Sequence, residues 1–128
     1  LCLGIPWEPS QASIESALLA AQITDVVAAL PDGLNHRLLA GGDGLSSGEK
    51  QRLCLARALL GKPNILFLDE MSANLDQKTE TVIAQSLAEL KGRCTILLST
   101  HRTTFLGLAD KTITLPQQRA LDNASVEP

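Results

Sequence analysis

The string Ser46-Ser47-Gly48-Glu49, the pair Asp69-Glu70, Asp76 and His101 are the residues of this chain whose types and spacing could act on a phosphate. Ser46, Ser47 and Gly48 stand just ahead of an expected helix over 49–60. A helix N-terminus offers unpaired backbone N–H groups and a partial positive charge, which together make a phosphate clamp. The same string is also an ordinary helix cap. Asp69 and Glu70 follow the apolar run Ile65 to Leu68, so two carboxylates emerge at the C-terminal end of an expected strand. Open α/β sheets hold their ligands at that edge. Taken alone, the pair could equally begin a polar loop. His101 follows a second apolar run in the same way, and a neutral imidazole could donate a hydrogen bond to a phosphate while accepting at its other nitrogen. His36, in a polar loop, reads as structural or solvated. Asp76 reads as the N-cap of the next helix.

Taken in order, Leu45-Ser46-Ser47-Gly48-Glu49, Ile65-Leu66-Phe67-Leu68-Asp69-Glu70, Ser72-Ala73-Asn74-Leu75-Asp76 and Ser99-Thr100-His101-Arg102 resemble the second half of the nucleotide-binding domain of an ATP-binding cassette (ABC) transporter. They match its signature, Walker B, D-loop and switch-histidine elements. The resemblance implies that Ser46, Ser47, Gly48 and Glu49 contact the γ-phosphate of ATP bound by the opposite subunit. It further implies that Asp69 holds Mg²⁺ through water, that Glu70 orients and polarises the attacking water, that His101 senses the γ-phosphate, and that Asp76 lies at the dimer interface. Two positions depart from the family pattern L-S-G-G-Q: Ser47 replaces its first Gly, and Glu49 replaces Gln. A Cβ at 47 would restrict a positive φ or a close backbone approach. That motivates a heterodimer with unequal ATP sites as one expectation. No G-x-x-x-x-G-K-[S/T] string occurs, and Gly61-Lys62-Pro63 cannot replace it because Pro supplies neither N–H nor hydroxyl. The chain alone is therefore expected neither to hold ATP tightly nor to hydrolyse it.

Three further likenesses point to the exporter type: Leu1-Cys2-Leu3-Gly4, Ala29-Leu30-Pro31-Asp32-Gly33-Leu34, and Arg102 directly after His101. In that reading a second nucleotide-binding domain, identical or not, closes head to tail on this one. A transmembrane domain is fused upstream, and the chain lies on the cytoplasmic face of the membrane. The alternative is a soluble ABC-type ATPase of DNA repair, chromosome organisation or translation.

At 128 residues with 45% hydrophobic content, the chain can bury one modest core. Trp7, Phe67 and Phe105 are its only aromatics and the net charge is −3 without a basic run, which excludes a stacking or electrostatic platform for nucleic acid. Cys2, Cys54 and Cys94 are scattered in apolar surroundings and read as buried free thiols. No apolar stretch approaches the roughly 20 residues that span a bilayer. The start at Leu1, inside an apolar segment, reads as truncated.

The expected fold is α/β: a partial P-loop NTPase domain with a parallel sheet and a helical subdomain, without the half that carries Walker A. Helices are expected over 10–21, 25–30 with Thr24 as cap, 48–60 with Leu53, Ala56, Leu59 and Leu60 inward, 76–90 and 104–109. Strands are expected over 65–68, buried on both faces, 94–98 and 112–115. The helical signature subdomain covers about 9–60, the α/β core 61–115, and a tail 116–128.

Overall fold

The structure, a computed structural model, describes residues 6–38, 42, 44–71 and 75–115. Leu1 to Gly4, the central D-loop residues Ser72 to Asn74 and the tail 116–128 lie outside the described residues.

Helix α1, Gln11–Ala20, starts where Ser10 accepts a hydrogen bond from the Ser13 N–H at 3.2 Å, and it buries Ala17 and Leu18. The chain reverses at Gln22 and enters α2, Thr24–Ala28. The cap of α2 differs from expectation. Ile23 occupies the N-cap position without a side-chain bond, and Thr24 is already helical. Ile23 is 1% exposed, so burial of its side chain decides where this helix begins. Asp25 in the first turn suits the helix dipole in place of a cap. The loop expected from residue 34 opens as a short 3₁₀ turn, Gly33–Asn35, with Gly33 at φ 51°.

Helix α3, Ser47–Leu60, has a complete capping box. The Glu49 N–H donates to Ser46 Oγ at 3.3 Å, and the Ser46 N–H donates to Glu49 Oε2 at 2.8 Å. Its buried face is Leu55, Ala56 and Leu60, with Leu53 and Leu59 only partly covered. Leu55, absent from the expected stripe, is buried beside Ala56 on the face that packs. At its end Gly61 keeps an ordinary helical φ of −67°, and Lys62, directly before Pro63, takes a left-handed turn at φ 48°.

Strand β1, Ile65–Asp69, helix α4, Gln77–Ala88, and strand β2, Thr95–Ser99, form a parallel β-α-β unit. Register runs from Ile65 opposite Thr95 to Asp69 opposite Ser99. Asp76 caps α4 by accepting from the Thr79 N–H at 3.3 Å. Gly92, at φ 78°, makes the turn into β2, which a side chain would strain. Helix α5, Thr103–Leu106, follows and buries Phe105.

The core lies between one face of this two-stranded sheet and the helices, with Leu66 and Leu68 packed among Leu18, Ile23, Leu55 and Ile83. The expectation that β1 is covered on both faces is corrected. Its burial alternates, leaving Ile65 56%, Phe67 75% and, beside them, Leu97 49% exposed. Among the described residues no element covers that side. The expected strand at 112–115 also does not form. Ile113 and Leu115 are exposed, and this run pairs with neither β1 nor β2. Of the thiols expected to be buried, Cys54 is exposed and Cys94 half-buried, both free. Cys54 falls on the outer face of α3, opposite the stripe that packs.

Ile83, with no exposed surface, should lose about 2–4 kcal/mol of stability on replacement by Ala, whereas Phe67→Ser should change it by less than about 0.5 kcal/mol; urea unfolding of residues 1–128 measures both. The Asp76 carboxyl is held below its ordinary range by its hydrogen bonds from Thr79. A depressed carboxyl contributes stability above its unfolded pKa and loses it as pH falls through the folded one. Asp76→Asn keeps a capping side chain but removes this titration. The fall in thermal midpoint on acidification below the usual Asp range should therefore be smaller in Asp76→Asn than in the wild type.

Candidate functional site

Parallel pairing brings the two expected acids and the expected histidine to one edge. Asp69 is the last residue of β1 and stands opposite Ser99, the last of β2. The Glu70 N–H continues the ladder by donating to the Ser99 carbonyl at 3.2 Å. Glu70 then turns to φ 44°, a left-handed conformation that costs a branched backbone residue energy and is concentrated at functional sites. His101 follows β2 by two residues, and the Arg102 N–H donates to Thr100 Oγ1 at 3.0 Å, which shapes the chain around it. Asp69, Glu70 and His101 are all exposed. None of their side chains has a hydrogen-bond or ion-pair partner among the described residues. The adjacent depression, lined by Phe67, Leu68, Leu97 and Leu98 with Asp69 and Ser99 at its end, is apolar.

No group of three or more His, Cys, Asp or Glu that could cage a metal exists among the described residues. Mg²⁺ keeps several waters and needs only one or two carboxylates together with phosphate oxygens. Asp69, exposed and unengaged, is such a carboxylate.

The start of α3 forms a second surface. Its capping box uses the Ser46 N–H, the Glu49 N–H and one lone pair of Ser46 Oγ. Among the described residues the N–H groups of Ser47 and Gly48 have no partner, while the Ser46 hydroxyl is directed to Glu49. Helix cap and anion clamp are therefore compatible readings of one string, and a phosphate fits the donors left over. Glu49 is kept ionised, chiefly by the Ser46 backbone N–H and then by the Ser46 hydroxyl. Its negative charge stands beside the open donors. Ser47 is the first residue of α3 and does not adopt positive φ, so its Cβ meets no restriction of that kind. No hydrogen bond or ion pair among the described residues joins 46–49 to Asp69, Glu70 or His101. Asp76 is exposed and caps α4 through one carboxylate oxygen, and His36 lies 3.8 Å from Asp32.

Two arginine contacts went unread in the sequence. Arg52 Nη1 donates to the Gln22 carbonyl, tying α3 to the turn after α1. Glu80, buried in α4, accepts from Arg102 Nη1 at 3.0 Å. Its signal was present: Glu80 shares the helical stripe of Ile83, Ala84 and Leu87, where an acid has no reason to be unless a cation meets it. Arg102 keeps 35% of its side chain exposed, so it is the loss of Arg102, which leaves the Glu80 carboxylate buried without a cation, that is the costly change.

The profile of the family described as "ABC transporter" matches residues 9–73. An ABC multidrug transporter of Aspergillus fumigatus is 37% identical over 118 residues, covering 92% of this chain and 9% of its own length. A mycobactin import ATP-binding/permease protein of Mycobacterium tuberculosis is 36% identical over 127 residues, 99% of this chain and 15% of its own length. An ATP-dependent lipid A-core flippase of Burkholderia orbicola is 38% identical over 120 residues, 91% of this chain and 20% of its own length. Among solved structures, a bacterial Atm1-family ABC exporter with ATP bound superposes with TM-score 0.68 at 35% identity, over 80% of this chain and 18% of that one. The chain thus spans 9 to 20% of the length of these curated relatives. With the ordered motifs, the β-α-β unit and the profile match in agreement, the chain belongs to the ABC transporter family.

Proposed function

We propose that this chain is the signature-to-switch portion of an ATP-hydrolysing domain that drives an exporter-type transporter. The observation that carries the reading is the β1–β2 register, which sets Asp69, Glu70 and the His101 segment on one sheet edge. Bound MgATP would supply the phosphoanhydride whose γ-phosphoryl group passes to water. Asp69 would hold Mg²⁺ through its water shell. Glu70 would accept a hydrogen bond from the attacking water and draw off its proton, a role its exposed and unpaired carboxylate suits. His101 would donate a hydrogen bond to the γ-phosphate oxygens and so register their presence.

Ser46, Ser47 and Gly48 would serve a different nucleotide, one held by a second nucleotide-binding domain closing head to tail. The separation of the two surfaces within one chain supports this division. Asp76, at the start of α4, would face that interface. A relative named ATP-binding/permease protein supports fusion to a transmembrane domain. In that setting the chain lies on the cytoplasmic face of a membrane. None of its described helices is long and apolar enough to cross one. The named relatives are transporters, which favours transport over a soluble ATPase role. Their cargoes differ, and the specificity of a transporter resides in membrane helices, so no cargo follows from this segment.

Residues 1–128 alone, lacking any P-loop string, should show no Mg²⁺-dependent ATP turnover. In the full-length transporter, Glu70→Gln should lower kcat by about 100-fold or more and leave ATP binding intact, as measured by phosphate release and nucleotide binding. Glu49→Gln keeps the capping box and removes a negative charge beside the clamp. It should tighten ATP-driven association of the two domains about two- to five-fold, measured by the ATP dependence of dimerisation.

A further inference from the structure

Glu80 is the one charged residue buried among the described residues, its side chain 4% exposed. We infer that Glu80 and Arg102 are positioning residues for His101, forming a strut that couples the start of α4 to the loop after β2. The inference rests on the reading of His101 given above.

Every link of the strut is short. The Glu80 N–H donates to the Asp76 carbonyl at 2.9 Å, within the turn that Asp76 caps. The Glu80 carboxylate accepts from Arg102 Nη1 at 3.0 Å. Arg102 is bonded covalently to His101, and its own N–H is held by Thr100 Oγ1. Beyond it, Phe105 is 2% exposed and anchors α5 against the same core as α4. Among the described residues the His101 imidazole has no hydrogen-bond partner, so these flanks are the contacts that set its place at the sheet edge. A displacement of the Asp76 turn would therefore move His101 with it.

Stability alone does not account for the pair. Glu80 interrupts an otherwise apolar stripe with Ile83, Ala84 and Leu87, and apolar residues of similar volume at a buried ion pair are often neutral or stabilising. What the charges add is direction. A guanidinium drawn to a fixed carboxylate at the N-terminal end of a helix, where the dipole favours a negative charge, leaves the Arg102 backbone little freedom.

The test is made in the full-length transporter with Arg102→Met, the apolar pair Glu80→Leu with Arg102→Met, and Arg102→Lys, each with and without His101→Ala. Because Arg102→Met strands a buried carboxylate and could fail to fold, the apolar pair carries the test, with its thermal midpoint checked against the wild type. The folded apolar pair should lower kcat at least about tenfold while changing the ATP KM by less than about twofold. Arg102→Lys should recover part of the loss. In the His101→Ala background, followed by single-turnover hydrolysis, the apolar pair should cause no further drop beyond about twofold. An unchanged kcat in the folded apolar pair, or an equal fall with and without His101, would overturn the inference. Wild-type turnover that Glu70→Gln fails to reduce would instead overturn the reading beneath it.

Discussion

Parallel pairing of two five-residue strands is the constraint on which the rest of this molecule depends. In a parallel pair both strands end at the same edge, so whatever follows each strand in sequence must emerge side by side. The apolar residues Leu66 and Leu68 commit β1 to the core, and the register sets Asp69 against Ser99. A slip of one residue would turn Leu66 and Leu68 to solvent and bring Ile65 and Phe67 inward. It would also carry Glu70 out of the ladder it now extends to the Ser99 carbonyl. Hydrophobic burial and the placement of the acids are thus one choice, made by side chains that take no part in any chemistry.

Helix N-termini perform the second task. Ser46 and Asp76 each end an irregular segment by accepting a backbone N–H, and each stands in a motif with a proposed role beyond the cap. The two duties do not compete. A helix start has more unpaired donors than one side chain can satisfy, and in α3 the box uses two of them and leaves those of Ser47 and Gly48. The cap orients the remaining donors by fixing the first turn. Glu49 sharpens the helix start while setting a negative charge beside those donors, a conflict between stability and anion affinity that an uncharged Gln would not carry.

Much of this was legible before the structure. Ser10, Ser46 and Asp76 announce their helices because a capping oxygen and a helical apolar stripe follow each other in sequence. The strand ends were legible because apolar runs stop abruptly at charged or polar residues. What escaped depends on relations across the chain. Ile23 replaces Thr24 as the N-cap because the core claims its side chain, and no local propensity records that. Strand burial on both faces was inferred from a continuous apolar run, yet the same run satisfies a sheet covered on one side. At 112–115 the composition suits a strand, but a strand exists only beside another. Glu80 could have been suspected from its stripe; that Arg102 meets it, 22 residues away, could not.

The two unpaired surfaces explain one another on the proposed reading. Among the described residues, Asp69, Glu70 and His101 have no internal partner, and the Ser47 and Gly48 donors of α3 are another such set, joined to the first by no hydrogen bond. An unpartnered carboxylate and imidazole are tolerable at the edge of a sheet only because water reaches them there. When a phosphate is enclosed, that water must go, and each group then needs a ligand atom in its place. On the proposed reading, a head-to-tail pair would bring the sheet edge of each domain to the helix start of the other. Among the described residues the apolar side of β1 and β2 that carries Phe67 and Leu97 is likewise left to water.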